Sequence, residues 1–249
     1  KTVTQVTNFV NKVMNYEKNP PAGFLKKILL PSVMLFNTYN VGFDYYGYTV
    51  NNYIANLLPG GWEVAKLEDN NETPSWNLRQ AVIDSTNAGF EFIHHADHGD
   101  EDGFYYYYGS SVYSFGDADN ASNGSKLSII NAISCFTGAM DENHNNDNGN
   151  DCVGEHLINN TNGGAVATIF NSRYGLGPQQ QGEMGYSEDL DTTFYNRIFI
   201  HGEYHIGEVV AHMRDQWAST SSSDDAAKWC TTELNLLGDP EMPIWTDNP

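Results

Sequence analysis

The feature of this chain that most constrains its fold is a repeated switch between two apolar periodicities, helical stripes alternating with short apolar runs. Val3, Val6, Phe9, Val10 and Val13 fall on one helical face. Ser32 to Phe36 then reads as a buried strand, with Pro31 at its entrance, where a missing N–H does least harm. Val50, Ile54, Leu57 and Leu58 make a second helix closed by Pro59-Gly60-Gly61, and Trp62 to Leu67 follows as a strand. A helix starting near Pro74-Ser75 turns Leu78, Val82 and Ile83 inward. Gly89 ends it before the apolar run Phe90 to Ile93. Leu127 to Ile133 and Ala165 to Phe170 are further strands, the second introduced by Gly163-Gly164. Ile206, Val209, Val210, Met213 and Trp217 return at helical spacing, and Met242 to Trp245 reads as a last strand. This alternation is the signature of βαβ units, so the expected class is α/β, with a mainly parallel sheet flanked by helices. No repeat or flexible linker divides the chain, and residues 1–249 are expected to form one domain.

Two long polar stretches, Asp97 to Lys126 and Asp141 to Asp151, each follow an expected strand. In open parallel sheets the ligand crevice lies at the carboxyl ends of the strands, so these loops mark the working edge. The first opens with His94-His95-Ala96-Asp97-His98-Gly99-Asp100, a density of titratable groups that suggests acid–base chemistry or a metal. A His-rich surface loop is the plainer explanation for any single one of them. Ser134-Cys135-Phe136-Thr137-Gly138 lies at the end of the strand Leu127 to Ile133. Alone, Cys135 is more often a small buried hydrophobe than a nucleophile. If the two strands are neighbours, however, His98 and Cys135 emerge side by side. A cysteine nucleophile needs a base of that kind within reach.

Strand-His-Gly followed by strand-Ser-Cys resembles the caspase-like cysteine peptidases, and further stretches resemble the gingipain family. They are Val10 to Pro20, His98-Gly99, Ser134 to Gly138, Gly163 to Ala167 and Asn235-Leu236-Leu237-Gly238-Asp239-Pro240, spread over nearly the whole chain. The resemblance implies a caspase-like α/β/α sandwich and an endopeptidase that works through an acyl-enzyme. Cys135 is then the nucleophile, and His98 the acid that protonates the leaving amine and later the base that activates water. The N–H groups of Gly99 and Cys135 would form the oxyanion hole, Gly99 letting substrate approach closely. Ser134, Ser172, Arg173 and Tyr174 would border the substrate, with Tyr174 as an aromatic lid. Asp97 precedes the catalytic His where the family often has a small residue, and would raise the His98 pKa or hold a cation. Related sequences carry an upstream subdomain with an acid that orients the His and another in the specificity pocket. This chain resembles the second subdomain alone, so the expectation is either an N-terminal partner chain from the same precursor or a shortened member of the family, with Asp44 as a local substitute for the first acid. Preference for a basic residue before the scissile bond is the first expectation, an acidic or small residue the alternative.

The acidic balance supports this picture and excludes others. With 12 Lys+Arg against 32 Asp+Glu, the net charge of −20 repels nucleic-acid phosphates and anionic lipid. It also attracts basic peptides over a Debye length of about 8 Å. No apolar run is long enough to span a bilayer. The oxygen-rich loop from Asp141 through Asp147 to Asp151, with Glu155 beyond it, suits Ca²⁺, which takes about 6–8 oxygens. Structural calcium is common in the family, and Asp100, Glu101 and Asp102 are a weaker second set. Asn71, Asn120, Asn123 and Asn159 begin glycosylation acceptor patterns, which lean toward an extracellular, secreted protein. Of the three cysteines, Cys152 and Cys230 either pair, leaving Cys135 as the free thiol, or remain buried thiols. Two rival functions remain. His95-Ala96-Asp97-His98 matches the second half of the His-x-His-x-Asp-His pattern of zinc-dependent metallohydrolases, although position 93 is Ile93. A non-catalytic calcium-dependent binding module would account for the acidic loops and the 15 Tyr.

Overall fold

The computed structural model describes residues 2–141 and 151–246. Along the chain run α1 (Val3–Lys18), β1 (Lys27–Phe36), α2 (Thr38–Val41), β2 (Tyr45–Tyr46), α3 (Tyr48–Leu57), β3 (Glu63–Asp69) and α4 (Leu78–Ala88). They are followed by β4 (Phe92–His95), β5 (His98–Asp100), β6 (Gly103–Tyr105), β7 (Ser111–Ser114), α5 (Phe115–Asp119) and β8 (Ser128–Ala132). The last third holds α6 (Val153–Asn159), β9 (Ala165–Asn171), α7 (Tyr186–Phe199), α8 (Ile206–Ser221), α9 (Asp225–Glu233) and β10 (Leu234–Leu237). α1 starts on a reciprocal cap, in which the Thr2 hydroxyl takes the Gln5 N–H and the Gln5 side chain takes the Thr2 N–H.

The main sheet has the order β10-β9-β8-β4-β1-β2, with β3 beside β1. β3, β1, β4, β8 and β9 are parallel, and only the short β2 and β10 run antiparallel. β4, β8 and β9 are buried along their whole length, as strands are when helices cover both faces. One layer is built from α3, α7, α8 and α9 and the other from α1, α5 and α6. The α/β/α sandwich expected from the periodicity is present. Among the described residues no helix is long and apolar enough to cross a membrane.

The register that matters most joins β4 to β8, from Phe92 opposite Ile129 to His95 opposite Ala132. Because the two strands are adjacent and parallel, the segments that leave their carboxyl ends lie side by side. A separate three-stranded sheet, β5-β6-β7, begins immediately after β4. It occupies part of the polar stretch that the sequence presents as loop.

Three expectations need correction. The first strand starts at Lys27, so Pro31 lies inside it. Pairing with β4 covers Ile28 and Leu29 and resumes only at a Ser32–Ala96 bridge, so the ladder lapses where the proline has no N–H to give. Its carbonyl is still used, accepting from Ala96 N–H at 3.1 Å and Asn51 Nδ2 at 3.0 Å. Met242 to Trp245 is not a strand. Met242 and Ile244 bond to the start of α8 and to Tyr204, and the edge of the sheet is β10. Finally, several elements, α7 and α9 the longest of them, have no counterpart among the expected ones.

Candidate active site

β4 ends at His95, and two residues later the chain turns into β5 with His98 and Gly99 at its start. β8 ends at Ala132, and Cys135 follows in the next turn. Both side chains line one narrow cleft of about 40 Å³, enough for ordered water but not for a long side chain. Leu35 and Phe36 form another part of its wall, Gly175 to Gly177 face them, and Glu188 of α7 completes it.

Asp97 holds the two segments together. Its Oδ2 accepts from His95 Nδ1–H at 3.0 Å, and the Ser134 hydroxyl lies 2.8 Å from both its Oδ1 and its carbonyl oxygen. The residue before His98 is thereby tied to the residue before Cys135. His95 is clamped in turn by a stacked Phe104 ring at 3.9 Å. Gly99 allows the same closeness: a Cβ there would stand 2.7 Å from Ser134 Cβ and 2.8 Å from the Cys135 carbonyl oxygen. The glycine is thus required by the approach of the loop that carries Cys135, a constraint separate from any approach of substrate. Phe136 has φ 57°, a left-handed conformation that a bulky residue adopts only when its surroundings impose it. Here Phe136 N–H bonds the Arg173 carbonyl and Gly138 N–H the Asn171 carbonyl, each at 2.9 Å, locking the turn to the end of β9.

The His98 ring donates Nε2–H to the Leu35 carbonyl at 2.9 Å, which leaves Nδ1 with the lone pair in the neutral ring. Phe36 and Tyr107 meet that ring edge-on. Burial pulls the His98 pKa below its ordinary value, against opposing contributions from the Leu35 carbonyl and Asp97. Burial, reinforced by the Glu233 carboxylate, pushes the Cys135 thiol above its ordinary value. Both directions favour the neutral imidazole and the thiol over imidazolium and thiolate. Cys135 Sγ lies 3.9 Å from the Gly175 carbonyl.

The other residues singled out in the sequence do not line this cleft. Ser134 is spent on Asp97, and Ser172 donates its hydroxyl to the Glu233 carbonyl at 2.6 Å. Arg173, awkward in a pocket for basic residues, sends its guanidinium to Asp141 in a two-pronged pair at 3.0 and 2.7 Å. Tyr174 is 63% exposed, with its ring edge-on to Phe136. Asp44 does not orient His98: it accepts from the backbone and hydroxyl of Thr38, both at 2.8 Å. Cys152 and Cys230 are buried free thiols.

The described donors of the metal readings are engaged elsewhere. Asp147 lies outside the described residues, with most of its loop. Asp141 is engaged by Arg173, Asp151 has a partner of its own, and Glu155 closes the start of α6 by accepting from Cys152 N–H at 3.0 Å. Asp100 accepts from Asp102 N–H within a turn. The histidines diverge: His94 faces Asn51 and Asp191, His95 faces Asp97, and His98 faces Leu35. Among the described residues no three His, Cys, Asp or Glu converge in a way that would hold an ion. Sequence reasoning missed the Leu35 carbonyl, the Gly175 to Gly177 wall and Glu188. A backbone carbonyl carries no sequence signal, and Glu188 looks like any acid in the first turn of a helix.

Comparison with known proteins identifies the family and the fold. A family model described as Peptidase family C25 matches residues 1–245. No curated protein matches. Among solved structures, the crystal structure of gingipain R, titled an Arg-specific cysteine proteinase, superposes with a TM-score of 0.76 at 17% identity. It covers 99% of this chain and 54% of that one. A complex of Porphyromonas gingivalis RgpB pro- and mature domains gives a TM-score of 0.70 at 16% identity, covering 99% of this chain and 55% of that chain. The chain thus spans about half the length of these structures and shares their fold.

Proposed function

Because this chain belongs to peptidase family C25, we propose that it is a cysteine endopeptidase acting through Cys135 and His98. The observation that carries the proposal is that both side chains line one cleft, with the His98 ring fixed by the Leu35 carbonyl. The chemistry follows from a neutral resting pair. As Sγ attacks the carbonyl carbon of the scissile bond, His98 takes the thiol proton. The resulting oxyanion is met by the N–H groups of Gly99 and Cys135, donors that are most valuable where charge develops only in the transition state. Collapse breaks the C–N bond, and His98 passes its proton to the departing amine. Water then attacks the thioester, His98 accepts a proton from it, and release of the carboxylic acid returns the thiol.

The proposal extends to a preference for a basic residue before the scissile bond. The net charge of −20 and the pairing of Arg173 with Asp141, which removes a repelling cation, support it. Secretion, a calcium ion in the 141–151 loop and an N-terminal partner region belong to the same reading, on the acidic loop and the sequence resemblance.

The test is to react the protein with iodoacetamide or a peptidyl acyloxymethyl ketone, locate the adduct, and assay cleavage of a mixed peptide library. One adduct on Cys135 with loss of cleavage is expected, and Cys135→Ala should be inactive. Proteolysis that survives Cys135→Ala, or that a zinc chelator abolishes while alkylation leaves it intact, refutes the proposal.

A further inference from the structure

β6 runs out into four successive tyrosines, Tyr105 to Tyr108, for which the chemistry of Cys135 and His98 has no use. The first two are anchors. Tyr105 is half-buried beside Asp100, and Tyr106 is 2% exposed, with its hydroxyl donated to Asp69 at 2.9 Å. The other two form the tip of the β6–β7 hairpin. There Gly109 N–H bonds the Tyr106 carbonyl at 2.9 Å and Tyr106 N–H bonds the Ser110 carbonyl at 2.8 Å. Central turn positions usually go to Gly, Pro, Asn, Asp or Ser, residues that serve the turn itself. Two large rings contribute nothing to the turn, and Tyr108 is left 60% exposed.

The tip reaches the His98 imidazole instead. The Tyr107 ring meets the His98 ring edge-on at 5.4 Å, and the Tyr108 ring meets Tyr107 edge-on at 5.0 Å. Asn40 of α2 holds Tyr107 in place by donating its side-chain N–H to the phenol oxygen. Phe36, the other ring edge-on to His98, belongs to the cleft wall. Tyr107 does not, so it meets the imidazole from outside the cleft, with Tyr108 beyond it. The reaction then fixes which part of a substrate runs past them. His98 hands its proton to the departing amine, so the residue that owns this amine, the first after the scissile bond, starts beside the imidazole. Its side chain is offered the two tyrosines. Aromatic pairs favour centroids about 4.5–7 Å apart, and the exposure of Tyr108 leaves ring surface for a third member of the series. We propose that Tyr107 and Tyr108 form the subsite for the residue immediately after the scissile bond, and that they select an aromatic side chain there. The inference rests on the peptidase reading above and adds a determinant on the leaving-group side, independent of the residue that precedes the bond.

The test measures kcat/KM for peptides that are identical before the cleaved bond and carry Phe or Ser after it, in the wild-type chain, Tyr108→Ser and Tyr108→Phe. Alkylation of Cys135 by iodoacetamide reports that each variant's site is intact. Phe is expected to exceed Ser roughly 10-fold in the wild type and in Tyr108→Phe, and by less than about 3-fold in Tyr108→Ser. A second measurement needs no variant. The acyl-enzyme made from a peptide methyl ester partitions between water and an added amine, whose nitrogen attacks the thioester carbonyl, breaks the C–S bond and returns a proton to sulfur through His98. Phenylalaninamide should capture the acyl group roughly 10-fold better than serinamide. Equal cleavage of the two peptides, or equal capture by the two amines, overturns the subsite and leaves the peptidase standing. An undiminished Phe preference in a Tyr108→Ser protein that still labels overturns the assignment to these tyrosines. A wild-type chain that cleaves no peptide removes the peptidase reading and the subsite with it.

Discussion

At the scale of single residues, the site depends on how closely two turns approach. Gly99→Ala would drive a methyl group into Ser134 Cβ at 2.7 Å, the Cys135 carbonyl oxygen at 2.8 Å and Thr137 Cγ2 at 2.9 Å. All three atoms lie on the 134–137 segment that carries Cys135, so that segment must shift. A misplacement of about 1 Å can cost a hundredfold in rate. Gly99→Ala is expected to lower kcat roughly 100-fold with the fold retained, as checked by circular dichroism and active-site labelling; full activity would refute the argument. The thiol supplies a second prediction. Since burial raises the Cys135 pKa above the ordinary 9.0, its thiolate fraction at pH 7 is below that of free cysteine. Iodoacetamide should therefore label Cys135 more slowly than free cysteine at pH 7, with a rate still climbing beyond pH 9. A plateau below pH 8 would show that His98 holds a resting thiolate after all. The pairing of His98 with Cys135 was readable from the sequence because each ends an apolar run. The cleft's far wall was not, because Gly175 to Gly177 contribute backbone, and backbone leaves no pattern.

At the scale of elements, the most informative failure is α7. Its buried residues include Ser187, Glu188, Asp191, Thr192 and Thr193, so the helix shows no apolar stripe for periodicity to find. Those polar residues face inward because they are in use. Asp191 accepts from His94 Nε2 at 2.9 Å and Asn131 Nδ2 at 3.1 Å, while His94 Nδ1 faces Asn51 Oδ1 at 2.6 Å. One buried network thus joins α7 to β4, β8 and α3 and sets the orientation in which Glu188 meets the cleft. Removing His94 leaves the buried Asp191 carboxylate short of a charged or polar partner. His94→Ala is expected to cost about 3–5 kcal/mol, visible as a lower urea midpoint with an unchanged m-value. A loss under about 1 kcal/mol would mean that water replaces the ring at no cost. The strands were legible where helices cover both faces, as in β4, β8 and β9. The short β5-β6-β7 sheet was not, since its three- and four-residue strands are mixed in burial.

At the scale of the whole molecule, the buried acids set the direction in which pH moves stability. Burial pushes Glu91, Glu188 and Glu233 each up to about 8 from the ordinary 4.5. For a group raised on folding, the stabilisation is complete below the unfolded value and is lost as pH climbs through the folded one. All three therefore favour the folded state near pH 5 and weaken it toward pH 8. The net charge of −20 acts in the same direction, since self-repulsion grows as carboxyls ionise. Two groups oppose them. His98, depressed by burial, contributes stability above its ordinary 6.5 that is lost as pH falls below it. Lys12, pushed down to about 7 by burial, adds stability only as pH rises from there toward 10.5. Three carboxyls outweigh one imidazole between pH 5 and 7, and one amine between 7 and 8. Asp69 and Glu203 have carboxyls held below their ordinary values, so they withdraw support only in stronger acid. The melting temperature is thus expected to peak near about pH 5 and to fall by several degrees by about pH 8.5, measured by calorimetry across that range. Glu188→Gln removes one of the three titrations and should flatten the fall. A melting temperature that instead rises steadily to pH 8 would mean that these carboxyls are ionised and paired.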